Sequence, residues 1–108
     1  MTFAHIAQQF ADAQSGSDSF KQLYESAFEL MQEDAENAGL YFVVGIAAQT
    51  YVVKHEDQAV APDFADRAKA SMERFNSRVA AALAMPATER LRALGDIAID
   101  YQWHEDAF

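Results

Sequence analysis

The chain has 108 residues, with 17 acidic and eight basic side chains, a net charge of −9 and no cysteine. The absence of cysteine excludes disulfides, cysteine-ligated zinc, iron–sulfur clusters and a thiol nucleophile. The length and the 51% of apolar residues predict one globular domain over 1–108, and the negative field favours a basic protein partner over nucleic acid or an anionic membrane.

The charge is concentrated in the first half, where nine acidic residues accompany two lysines up to Asp57; eight acidic residues and six basic ones follow. The N-terminal residues lack the basic start and apolar core of a signal peptide. The longest uncharged stretch, 37–53, is shorter than the roughly 20 apolar residues of a membrane span. These features predict a cytoplasmic protein without a membrane partner.

Apolar residues recur at helical spacing through the first 37 positions. This spacing predicts a helix over 2–14, a break at 15–18 and a second helix that ends near Asn37 and Gly39, residues that tolerate the left-handed cap conformation. The predicted inward residues of the two helices are Phe3, Ile6, Ala7, Phe10, Phe20, Leu23, Tyr24, Ala27, Leu30 and Met31.

The segment 40–53 has two interpretations. Its five valine and isoleucine residues are β-branched and favour a strand. Its length and the lack of a turn signal favour a central helix, in which Gly45 and Ala48 share a face that another helix can approach closely. We predict a helix here, followed by a loop over 54–61.

Two further helices are predicted in the second half. Pro62 is suited to the first turn of a helix that runs to about Met85, and Pro86 ends it. The last helix begins near 87 or 88. The predicted inward residues of the two helices are Phe64, Ala68, Met72, Phe75, Val79, Leu83, Leu91, Leu94, Ile97 and Tyr101.

The last helix also has a competing interpretation. Gly95 lowers helix propensity by about 1 kcal/mol, and Ile97, Ile99, Tyr101 and Trp103 alternate as in a half-buried strand. The predicted fold is therefore an all-α, single compact antiparallel bundle of four to five helices. The alternative is an α+β fold with short strands near 40–53 and 97–103.

Four glutamates form a stripe on the second predicted helix. Glu25, Glu29, Glu33 and Glu36 stand at i, i+4, i+8 and i+11, which places them on one face. A basic stripe of similar pitch, Arg67, Arg74 and Arg78, follows on the fourth helix. The acidic stripe is a docking face for a basic partner, a solvated face, or the counterpart of the basic stripe within one bundle or across a dimer.

The histidines do not form a recognised metal motif. His55 and His104 are each followed by Glu-Asp, and Asp100 shares a helical face with His104. The Glu-x-x-His and His-Glu-x-x-His patterns are absent. A histidine near a helix C-terminus is also explained without a metal, because the helix dipole favours its cationic form. We predict no metal or other cofactor. Serine-nucleophile and phosphate-loop motifs are also absent, so we predict no catalytic residue.

The C-terminal segment is rich in aromatic residues, of which Trp103 and Phe108 either anchor a partner or pin the tail to the core. We therefore expect a non-enzymatic protein that binds a basic partner, as an inhibitor, immunity protein or chaperone does, through Glu25, Glu29, Glu33, Glu36, Trp103 and Phe108. The alternative is a small-molecule or metal-binding bundle that uses His55, His104 and nearby carboxylates. Homo-oligomerisation is compatible with either.

Overall fold

The structure is a computed structural model that describes residues 1–108. The segments with helical apolar spacing form five helices. Helices make up 83% of the chain and no strand is present, so the all-α prediction is confirmed and the α+β alternative is wrong. The helices are α1 (Phe3–Asp12), α2 (Ser17–Glu33), α3 (Ala38–His55), α4 (Pro62–Leu83) and α5 (Ala87–Trp103). Short 3-10 turns at Ala35–Asn37 and Glu105–Ala107 follow α2 and α5.

The helix boundaries differ from the sequence prediction by up to four residues. Helix α2 ends at Glu33, because the backbone leaves helical geometry at Asp34 (φ −138°, ψ 71°) and the 3-10 turn follows. Helix α3 continues through the expected start of the loop to His55. Lys54 and His55 therefore occupy its last turn, where cationic side chains are favoured.

Helix α3 lies at the centre of the bundle, against α2, α4 and α5. Half of its 18 residues are buried, in several directions around the helix. This burial accounts for the uniformly apolar sequence that resembled a strand. The closest approach is to α2: a Cβ on Gly45 would lie 2.2 Å from Cε1 of Phe28, so only glycine fits under this ring.

Helices α3 and α5 run side by side in the same direction. Gly39 of α3 lies against the Leu94 side chain, and further along both helices the hydroxyl groups of Thr50 and Tyr101 form a hydrogen bond. Helices α4 and α5 form a hairpin, clamped by an ion pair of 2.6 Å between Arg78 and Asp100. The inner face of α5 contributes Ile97, which is 1% exposed, to the core.

The core contains a stack of aromatic rings. Phe20 and Tyr51 stack at 4.1 Å between ring centroids, and Phe10 meets Phe20 edge-on at 5.1 Å. All three side chains are buried, which joins α1, α2 and α3. Offset and edge-to-face pairs of this kind add about 0.5–1.5 kcal/mol to the stability that burial provides.

Candidate docking surface

The acidic stripe is exposed but shorter on the helix than predicted. Glu25, Glu29 and Glu33 lie on α2, are exposed and form no ion pair or side-chain hydrogen bond. Glu36 lies in the 3-10 turn beyond the end of α2, and its carboxylate is 3.3 Å from the Arg90 guanidinium. Three carboxylates of the stripe therefore lack a counter-charge in the chain.

The basic stripe does not pair with the acidic stripe within the bundle, so that interpretation is wrong. Arg67 contacts Asp63 one turn earlier on α4 at 3.3 Å, and Arg78 contacts Asp100 of α5. Arg74 donates to the Ser71 hydroxyl at 2.9 Å. Two of these contacts lie within α4, and only the Arg78 contact reflects the position of α5 next to this face of α4. Pairing across a dimer stays a prediction.

A polar network joins the start of α5 to the turn after α2. Arg90 donates to Oδ1 of Asn37 at 2.9 Å, and Asn37 donates to Oδ2 of Asp34 at 2.8 Å. The Tyr41 hydroxyl donates to the same Asp34 oxygen at 2.7 Å. These two bonds to Asp34 hold the pKa of its carboxyl below the usual range, while burial and the Asp34 contact raise the pKa of Tyr41 to about 12. The network thus fixes Glu36 next to α5.

Helix α5 presents a row of apolar side chains to solvent. Leu91, Ile99 and Trp103 are 71%, 61% and 77% exposed, and their spacing of eight and four residues places them on one side of the helix. Leu91 lines a cleft of about 240 Å³ together with Glu36 and Arg90. The row on α5 therefore begins beside the end of the acidic stripe.

Helix α3 also exposes two apolar side chains, on its side between α2 and α5. Phe42 and Val53 are 47% and 78% exposed. Successive residues of a helix are rotated by 100° about its axis, so both side chains project between the direction of Gly45, which faces α2, and that of Thr50, which faces α5. The ring of Phe42 lies 6.5 Å from that of Phe28 on α2. We call the set Phe42, Val53, Leu91, Ile99 and Trp103 the apolar face.

The two aromatic residues expected to anchor a partner differ in burial. Trp103 is exposed, as a partner anchor requires. Phe108 is 1% exposed, with its ring 5.6 Å from Phe75 and 6.3 Å from Tyr101. Its assignment to a partner surface is therefore corrected: the 3-10 turn after α5 folds the tail back, and Phe108 belongs to the core.

The histidines lie in separate local environments. Nε2 of His55 is 2.9 Å from the main-chain oxygen of Phe108, and Nδ1 of His104 is 2.9 Å from the Asp100 carboxylate. His5 is exposed on α1. No three histidine, aspartate or glutamate side chains lie close enough together to share a metal ion. None of the helices combines the length and apolarity needed to cross a membrane.

Most of the apolar face was not predicted from the sequence. Leu91 was assigned to the core, although it is exposed, and Ile99, Phe42 and Val53 were not singled out. The spacing of Leu91, Ile99 and Trp103 at i, i+8 and i+12 was a usable signal, because it marks a second apolar side of α5 opposite Ile97.

The chain was compared with protein-family models, curated proteins and solved structures, and none of them matches it.

Proposed function

We propose that the protein binds a basic protein partner, with the acidic stripe guiding the approach and the apolar face forming the buried contact. The observation that carries this proposal is the proximity of the two features. Phe42 of the apolar face lies 6.5 Å from the ring of Phe28 on α2, and Glu36 and Leu91 line the same cleft. The only ion pair that either feature forms within the fold is the one between Glu36 and Arg90.

The distribution of charge supports a cationic partner. Arg67, Lys69, Arg78 and Arg90 already contact acidic side chains of the same chain. The three free glutamates of α2 repel one another at i, i+4 spacing, at a cost of about 0.2–0.5 kcal/mol per pair. A cationic partner removes that repulsion and is steered by the field. A second copy of this chain, with its own charge of −9, would increase the repulsion.

The apolar face supports a contact that excludes water. Single exposed apolar residues are ordinary on protein surfaces, but five of them on two neighbouring helices, close to unpaired charge, are typical of interaction sites. Burial of one such side chain contributes about 1.5–3 kcal/mol. Trp103 combines a large ring with an N–H group, the properties that make tryptophan frequent among residues that dominate binding energy.

The test places a photo-crosslinking residue at position 99 and identifies the protein captured in the native cell. We expect a basic partner. The purified pair is then measured with E29K/E33K and, as a matched control with the same charge change, E56K/D57K on the loop after α3. We expect E29K/E33K to slow association about tenfold at low salt, and the control to change it less than twofold. An acidic partner, or equal rates for the two variants, would contradict the proposal.

A further inference from the structure

A second candidate site lies at one end of the bundle, between the α1–α2 and α3–α4 connections. It is a cleft of about 570 Å³, within the range of small-molecule sites. Ser15, Gly16 and Ser17 line one side, Asp66 and Lys69 of α4 line another, and Tyr51 of α3 also contributes. These residues come from three separate segments of the chain, so no local sequence pattern marks them as a group.

One wall of the cleft offers hydrogen-bond donors and positive charge. Helix α2 begins at Ser17 after Gly16, whose φ of 132° favours glycine, and no side chain caps its first turn. The first N–H groups of a helix lack acceptors within the helix and attract anions. Lys69 donates to the main-chain oxygens of Ala11 and Ala13, which hold its ammonium group at the cleft, 3.9 Å from the Glu73 carboxylate.

The cleft also offers a free acceptor. Oδ1 of Asp66 accepts a hydrogen bond of 2.6 Å from the Ser15 hydroxyl, which fixes the carboxylate in place. Oδ2 forms no hydrogen bond or ion pair in the chain. The carboxylate is therefore oriented by one oxygen, and the other is available to a cationic donor.

Tyr51 provides an independent indication of a ligand. The residue is 1% exposed and its ring is stacked on Phe20, yet its hydroxyl has no hydrogen-bond partner in the protein. The hydroxyl oxygen is not fully enclosed by the protein, so it keeps contact with solvent. Tyr51 also lines the cleft. Burial raises the pKa of Tyr51, so the hydroxyl is protonated at neutral pH. Nearly buried polar groups normally have partners, and this one faces the cleft.

We propose that the cleft binds a small zwitterion of the α-amino acid class. The ligand carboxylate faces the N-terminus of α2 and Lys69, and it accepts a hydrogen bond from the Tyr51 hydroxyl. The ligand ammonium group faces Oδ2 of Asp66. A simple anion is opposed by the Asp66 carboxylate, and a simple cation by Lys69, whereas a zwitterion satisfies both. This site is independent of the docking surface and of the function proposed for it.

The first experiment titrates ¹⁵N-labelled protein with each of the twenty free L-amino acids and follows the amide resonances of 15–17. We expect at least one to produce saturable shifts with a Kd of about 1 mM or below. Its N-acetyl and methyl-ester derivatives, which each remove one charge, should bind at least tenfold more weakly. Failure of every amino acid to saturate by about 10 mM, or equal binding of the derivatives, would overturn the proposal.

The second experiment repeats the titration with Y51F, D66N and the control D63N. Y51F keeps the ring that stacks on Phe20. Asp63 lies on the same helix, and its carboxylate contacts Arg67 outside the cleft. We expect about tenfold weaker binding for D66N, severalfold weaker binding for Y51F and unchanged binding for D63N. D66N binding as tightly as the wild type would refute the role of Asp66 and with it the zwitterion.

Discussion

The close approach of α2 and α3 at Gly45 predicts a measurable difference between two glycine-to-alanine substitutions. In G45A the new Cβ would lie 2.2, 2.7 and 2.8 Å from three ring atoms of Phe28. That ring also packs near Tyr24 at 5.8 Å and Phe42 at 6.5 Å, contacts that change if the ring moves away from the new Cβ. Overpacking of this kind costs about 1–3 kcal/mol.

Gly95 is the matched reference. It lies in the middle of α5 as Gly45 does in α3, and its Cβ would meet nothing within 4 Å. Both substitutions gain about 1 kcal/mol of helix propensity, so the propensity gain cancels in the comparison. We expect G95A to be more stable than wild type by about 1 kcal/mol, and G45A to be less stable than G95A by about 1–3 kcal/mol.

The free energies of unfolding are to be measured by urea denaturation followed by far-ultraviolet circular dichroism. A difference of 1 kcal/mol corresponds to about 4–8 °C in Tm for a domain of this size. The G45A penalty should shrink in a background carrying F28A, which removes the ring. If G45A were as stable as G95A, the packing of Phe28 on Gly45 would be refuted.

Four other substitutions test the core, the polar network and the exposed tryptophan. Asn76 is 4% exposed and both its side-chain polar atoms are unpaired, so N76L should raise the unfolding free energy by about 1–2 kcal/mol in urea denaturation. The pKa of Tyr41 is raised to about 12, so its protonated hydroxyl stabilises the fold fully below about pH 10, and this stabilisation is lost as the pH rises through 12. The free energy of unfolding should therefore fall by up to about 3 kcal/mol between these pH values, and by less in Y41F. F108A should lose about 3–5 kcal/mol by thermal melting, whereas W103A should stay within about 0.5 kcal/mol of wild type, and equal losses would contradict the burial assigned to the two rings.

The helices were largely predictable from the sequence because they depend on local spacing. The strand-like alternation near the end of α5 resolves in the helix into two pairs at i, i+4: Ile97 and Tyr101 face inward, and Ile99 and Trp103 face outward. In α3 the β-branched residues are accommodated because neighbouring helices bury them on several sides. Tertiary packing here outweighs intrinsic propensity.

The surface was less predictable because exposure depends on contacts between distant segments. Phe42 and Val53 lie in a helix that is apolar all round, so no pattern in the sequence shows which side stays uncovered. Phe108 is buried because the turn at Glu105–Ala107 folds the tail onto Phe75, a contact across more than 30 residues. The positions of the three exposed glutamates on α2 were predicted correctly, and their role in binding stays a prediction.

Trp103 offers the most direct test of the proposed docking surface, because it is the only tryptophan in the chain and is 77% exposed. The protein is labelled with 5-fluorotryptophan, and the solvent isotope shift of its single ¹⁹F resonance is compared between H₂O and D₂O, with and without saturating partner. We expect a clear isotope shift in the free protein and its loss in the complex, as the ring is buried. An isotope shift that persists in the saturated complex would show that the partner binds elsewhere.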